Sequence, residues 1–182
     1  MDELLDIVND EDIVTGQEMR STVHQLGLQH RGVHVFLFTS DGKMLVQKRS
    51  ADRAASPSLL DCSVSEHVKA GEGYLSAAIR GLKEEMGIPY RHDMDGIEIK
   101  PLVKFRMNYG INDNEISTLY EGRVEPDKIK FDPVEIEEVS YYSVDELQEM
   151  IKEGNVKFCE WFVELLNWYL QKPAKMHFIF RP

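Results

Sequence analysis

Cysteine is scarce in this chain of 182 residues: there are two, Cys62 and Cys159. Two thiols cannot build a disulfide framework, and a reducing cytoplasm is the expected location. Basic residues are also in short supply, with 21 Lys and Arg against 32 Asp and Glu and a formal net charge of −11. That balance argues against the phosphate backbone of nucleic acid, or an anionic membrane, as the main partner. No apolar run reaches the roughly 18 residues of a membrane span. The acidic opening MDELLDIVNDED has no signal-peptide core. Repeats and low-complexity tracts are absent as well. What remains, 42% hydrophobic and 29% charged, is an ordinary globular composition, long enough for a real core and expected to form one domain over 1–182.

Residues 3–8 and 13–15 read as short strands around an Asn-Asp turn. VHVFLFTSDGKMLVQKR, residues 33–49, reads as a hairpin turning at Asp41-Gly42. A loop follows over 50–61, then a short strand over 62–66. Leu75, Ala78, Ile79, Leu82 and Met86 recur at three and four, predicting a helix over 74–86 that Gly87 ends. Further strands are expected over 98–108, 115–124 and 134–142. Ser143 with Glu146 forms a capping box for a helix to about 152. A last helix is expected over 156–170, and the tail KMHFIFRP as a strand or a docked end. This order predicts an α+β fold, an α/β/α sandwich with a mixed sheet between helices.

The chemistry concentrates in EHVKAGEGYLSAAIRGLKEEMGI, residues 66–88. Glu72 stands at the mouth of the helix, with Arg80, Glu84 and Glu85 along it. Helical geometry of about 100° per residue is expected to turn Glu84 and Glu85 outward from the sheet together. Carboxylates grouped this way suit Mg²⁺, which takes few of them plus waters and substrate phosphate. The stretch resembles the signature of the Nudix superfamily, in which a glycine precedes five residues and a glutamate. Seven residues later comes Arg-Glu-aliphatic-x-Glu-Glu-x-Gly-aliphatic. Glu72, Arg80, Leu82, Glu84, Glu85, Gly87 and Ile88 match in register. Two positions depart: the opening glycine is Glu66, and the glutamate after the arginine is Gly81. A helical glycine costs about 1 kcal/mol against alanine, which hints at a close backbone approach there.

The resemblance extends, more loosely, over about 4–170 toward the isopentenyl-diphosphate isomerase branch. It implies a mixed nitrogen and oxygen metal site at His24, His30, His67, Asp113 and Glu115, with Mg²⁺ or Mn²⁺ as cofactor. It also implies Glu84, Glu85 and Glu115 as catalytic groups, with Glu72 in support of the metal. Arg20, Lys48, Arg49 and Arg53 are candidates for phosphate, with Lys69 beside the turn. Arg80 is expected to brace the turn, and Trp161 and Phe162 fall where the isomerase carries an aromatic. The isomerase's catalytic cysteine, two residues before the histidine, is Ser65 here, and Cys62 reads as a small buried hydrophobe. The implied activity is metal-dependent cleavage of a diphosphate linkage in a small molecule. Isomerisation of isopentenyl diphosphate, or binding without catalysis, are the alternatives. Loops 50–61 and 105–114 are where specificity is expected, and a homodimer is left open.

Overall fold

The computed structural model describes residues 2–53, 55–89, 97–110 and 112–180. The first two strands, β1 (Leu4–Val8) and β2 (Val14–Met19), form a separate two-stranded sheet. Its turn is held by the Asn9 carboxamide oxygen, which accepts from the Glu11 and Ile13 amides at 3.1 and 2.9 Å. A short helix, α1 (Arg20–Leu26), follows. The main sheet then begins with β3 (His30–Phe38) and β4 (Met44–Arg49). The expected hairpin is present only at its turn end, where Phe38 pairs with Met44. Beyond that point β3 takes β6 (Val64–His67) as antiparallel neighbour, while β4 pairs β5 (Leu60–Asp61) and β9 (Ile136–Tyr142). On its other edge β3 runs parallel to β8 (Asn114–Arg123), which pairs β7 (Ile99–Asn108). The tail settles as β10 (His177–Phe180) against β7.

Helix α2 (Tyr74–Met86) covers one face of this mixed sheet, and α3 (Val144–Glu153) and α4 (Glu160–Tyr169) the other. Strand β3 shows the sandwich in its own alternation. Val33, Val35 and Leu37 pack with Ala78, Leu82 and Met86. Phe36 and Phe38 pack with Leu147, Phe162 and Leu166. A strand buried on both faces needs this near-continuous apolar run. The predicted capping box on α3 is formed in both directions, Glu146 N to Ser143 Oγ at 3.1 Å and Ser143 N to Glu146 Oε2 at 2.7 Å. Helix α4 starts later than expected, at Glu160.

The expected stripe on α2 is rotated. Ala77, Ala78, Gly81, Leu82, Glu85 and Met86 are buried, whereas Leu75 is 45% exposed. The cause lies at Gly81, where a Cβ would stand 2.5 Å from Val64 Cγ1 and 2.9 Å from Glu66 Cγ. With no side chain there, the helix settles on β6 along its 77–81–85 edge. Gly87 ends the helix at φ +66°, and a Cβ would meet the Lys130 carbonyl at 2.5 Å. The segment after it is tied to the helix end by Lys130 N to Met86 O and Asp132 N to Glu85 O, both 2.9 Å.

Candidate metal and phosphate site

Three neighbouring strands bring the histidines together. The parallel register sets His30 beside Glu115, and the antiparallel register sets His67 beside Gly32. Gly32 is what lets Glu115 in, since a Cβ there would lie 2.2 Å from Glu115 Oε2. The adjoining α1 supplies His24, and the residue before β8 supplies Asp113. Ring centroids of His24, His30 and His67 are mutually 5.1 Å apart. Ligand atoms from His24, His30, His67 and Asp113 all lie within 4.8 Å of one another. Glu115 Oε1 stands 3.7 Å from both His30 Nε2 and His67 Nε2. Among the described residues, His24 Nε2, His30 Nε2 and Asp113 Oδ1 are buried without a hydrogen-bond partner. Three orphaned atoms, in a group of four converging side chains with Glu115 beside them, fit a divalent cation.

The electrostatics agree. Burial lowers the His24 imidazole to about 4 and holds His30 and His67 below the ordinary histidine value as well. Burial, reinforced by Glu115, raises Asp113 to about 7, and burial raises Glu115 to about 7. Every group is pushed toward neutrality, so the imidazoles are already in the unprotonated form that ligates.

A second group faces it across a cavity of about 320 Å³ lined by residues of both groups, including His24, His67, Glu66 and Glu135. Ligand atoms of Glu66, Glu85 and Glu135 also lie within 4.8 Å of one another. Glu85 corrects the expectation for the helix carboxylates. It is 2% exposed, because successive helical residues stand about 100° apart and the Gly81 edge faces the sheet. Gln47 Nε2 donates to its Oε2 at 2.6 Å, and its Oε1 is buried with no hydrogen-bond partner among the described residues. Burial, then the Glu66 charge, pushes its carboxyl well up. Glu84 does look outward, at 52% exposed, and it lines the cavity.

Glu72 stands apart from both groups. Arg80 Nε and Nη2 hold its two oxygens at 3.1 Å each, and the Lys69 amide donates to it at 3.0 Å. Arg80 also reaches the His67 carbonyl at 2.7 Å, so this pair braces the turn as expected of Arg80. Of the phosphate candidates, Arg20, Arg49 and Arg53 line the cavity. Arg20 Nε is buried and unpartnered among the described residues, Arg49 is locked on Asp61 at 2.9 Å and Arg53 on Glu135 at 2.8 Å. Lys48 is not brought there; it pairs with Glu137 at 2.7 Å. Lys69 pairs with Glu3 at 3.3 Å.

Two cavity residues had no signal in the sequence. His34 sits in an apolar run, yet its Nε2 lies 3.2 Å from the Tyr109 hydroxyl and its Nδ1 3.1 Å from Ser65 Oγ. Glu135 is 50 residues from Glu85, and only the docking of 130–136 on α2 brings them together. Trp161 lines the cavity and donates to Asp61 at 2.6 Å, whereas Phe162 is core. Cys62 is fully buried among apolar side chains, and burial raises its thiol well above the ordinary value.

The comparisons place this fold, with its candidate metal-binding groups, in a known family. The NUDIX domain family model matches residues 28–162, and the chain belongs to that family. It falls in the isopentenyl-diphosphate isomerase-like branch. An isopentenyl-diphosphate Delta-isomerase of Serratia proteamaculans is 29% identical over 171 residues, covering 92% of this chain and 91% of the relative. An uncharacterized Nudix hydrolase of Nostoc sp. is 35% identical over 136 residues, covering 73% and 78%. The crystal structure of DR0079 from Deinococcus radiodurans superposes with a TM-score of 0.76 at 27% identity, covering 91% of this chain and 98% of that one.

Proposed function

We propose that the protein is a divalent-metal-dependent hydrolase that cleaves a diphosphate linkage in a nucleotide or related small metabolite. One observation carries this reading: two ligand groups, each with orphaned buried atoms, face a single cavity that also receives three arginines. Glu85 and the His24, His30, His67, Asp113 and Glu115 set would hold Mg²⁺ or Mn²⁺. Bound there, such an ion neutralises phosphate charge and makes a bound water more acidic. Arg20, with a free Nε, is suited to take a phosphate oxygen. Arg49 and Arg53, each already paired with a carboxylate, line the wall against which the diphosphate would lie. Glu84 is the accessible carboxylate, its Arg80 contact a loose 3.3 Å, and it orients or deprotonates the attacking water. Phosphoryl transfer asks mainly for positioning and charge neutralisation, which these side chains supply. Phosphate release from nucleoside diphosphates, nucleotide sugars and prenyl diphosphates with Mg²⁺ tests this. Silence across that panel from protein that takes up metal ends it.

A second reading, isomerisation of isopentenyl diphosphate, is favoured by the complete histidine group beside Glu115 and Tyr109. It lacks an ionisable thiol, since Ser65 stands at the cavity and Cys62 is sealed in the core. A thiol is a far better proton donor at carbon than a serine hydroxyl. Deuterium incorporation into isopentenyl diphosphate separates the readings, and none is expected.

A further inference from the structure

The two departures from the Nudix pattern, Glu66 and Gly81, meet in space. A Cβ on Gly81 would stand 2.9 Å from Glu66 Cγ and 3.7 Å from its Cβ. Together with Val64 Cγ1, which would lie 2.5 Å from that Cβ, the glutamate side chain of β6 occupies the volume into which a side chain at position 81 would begin. We propose that the departures are one exchange: Glu66 delivers, from the strand, the carboxylate that the helix lacks at 81. With Glu85 and Glu135 it forms a divalent-cation site. This deepens the hydrolase reading and rests on it for its purpose, though metal uptake is separable from turnover.

Three carboxylates within 4.8 Å repel one another. The surroundings hold one oxygen of each and leave the other to be offered. Arg80 Nη1 holds Glu66 Oε2 at 3.0 Å, Gln47 Nε2 holds Glu85 Oε2 at 2.6 Å and Arg53 Nη1 holds Glu135 Oε2 at 2.8 Å. Outer partners of this kind orient the ligands of a metal. Independently, Glu85 is 2% exposed and its Oε1 has no hydrogen-bond partner among the described residues. A carboxyl oxygen sealed in this way lacks the partner that burial normally demands, and a bound cation would supply what is missing. An all-oxygen set suits Mg²⁺ or Mn²⁺ and contrasts with the imidazole-rich group across the cavity.

Mn²⁺ alone is the probe, followed by electron paramagnetic resonance and calorimetry on the full chain without substrate. Wild type should take up ions in two classes, one at each group. Glu66→Gln, which keeps the shape and a hydrogen bond to Arg80, should weaken one class by about tenfold or more and leave the histidine class intact. Gly81→Glu should lower the melting temperature, because its Cβ overlaps Val64 and Glu66. The double variant Glu66→Gly with Gly81→Glu should melt above Gly81→Glu, with only the Val64 overlap remaining, and should bind Mn²⁺ more tightly than Glu66→Gly. Unchanged Mn²⁺ affinities in Glu66→Gln would overturn the proposal, as would a double variant no better than the poorer single one. Two classes of Mn²⁺ with no hydrolysis would leave the exchange standing and remove the hydrolase.

Discussion

Gly32→Ala is the sharpest probe of how the histidine group is held. In most strands the change is mildly favourable, because glycine costs about 0.5–1 kcal/mol relative to alanine in such positions. Here the new methyl would lie 2.2 Å from Glu115 Oε2 and 2.7 Å from Ser117 Oγ. Glu115 cannot slide freely. Ser117 Oγ donates to it at 2.6 Å, and it is only 6% exposed between His30 and His67. Overpacking of this kind costs about 1–3 kcal/mol, and losing a hydrogen bond to a charged group about 1.5–3 kcal/mol. The clash wins, with a net loss of about 2–3 kcal/mol. In a domain of this size that lowers the melting temperature by about 4–12 °C. Displacement of Glu115 should also weaken Mn²⁺ binding at the histidines by about tenfold or more. Thermal melts with and without Mn²⁺ report both. Gly16→Ala is the control, since nothing lies within 4 Å of its Cβ. A Gly32→Ala protein as stable as wild type and as avid for Mn²⁺ would refute the placement of Glu115.

Other perturbations have defined outcomes. Asp12 sits at φ +61° and receives Arg31 Nε at 2.6 Å, Tyr74 Oη at 3.0 Å and Lys104. Asp12→Asn keeps the backbone preference and should cost about 2 kcal/mol in chemical denaturation. Burial raises that carboxyl, but Lys104 and Arg31 outweigh it and leave it below the ordinary value. Its stabilisation is therefore present above the ordinary aspartate range near 3.8 and lost as pH falls through the lower folded value. The wild-type advantage over Asp12→Asn should shrink only under strongly acidic conditions. Gly87→Ala should destabilise by more than about 1 kcal/mol, from the left-handed backbone and the Lys130 carbonyl at 2.5 Å. Mn²⁺ at about a hundredfold over its dissociation constant should stabilise the protein by about 2.7 kcal/mol per site, a gain that chelator removes.

The framework was legible wherever one element's own residues decide it. The α2 boundaries, the Gly87 stop and the Ser143–Glu146 box came from local rules, as did most strand positions; β5 at Leu60–Asp61 falls in a stretch expected as loop, and β2 runs on to Met19 past the expected end at 15. Helix α1 did not, because it has seven residues and buries only Val23, too little for a period. The splaying of the β3–β4 turn depends on β6 competing for β3, a contact between distant segments. For the site, the histidines, Asp113 and Glu115 were named by resemblance and are brought together by strand register. The facing of Glu85 was misjudged because Gly81 resets which edge of α2 meets the sheet. Glu135 had no local signature at all, since backbone bonds at Lys130 and Asp132 put it there. His34 was hidden by the apolar residues around it.

The central claim is that buried oxygens on α2 hold an ion that makes diphosphate cleavage possible. Steady-state phosphate release with Mg²⁺, comparing wild type with Glu85→Gln, addresses it most directly. Turnover of at least about 1 s⁻¹ on one member of the diphosphate panel, falling a hundredfold or more in the variant, is the predicted result. Equal rates in the two proteins, or none in wild type loaded with metal, would contradict it.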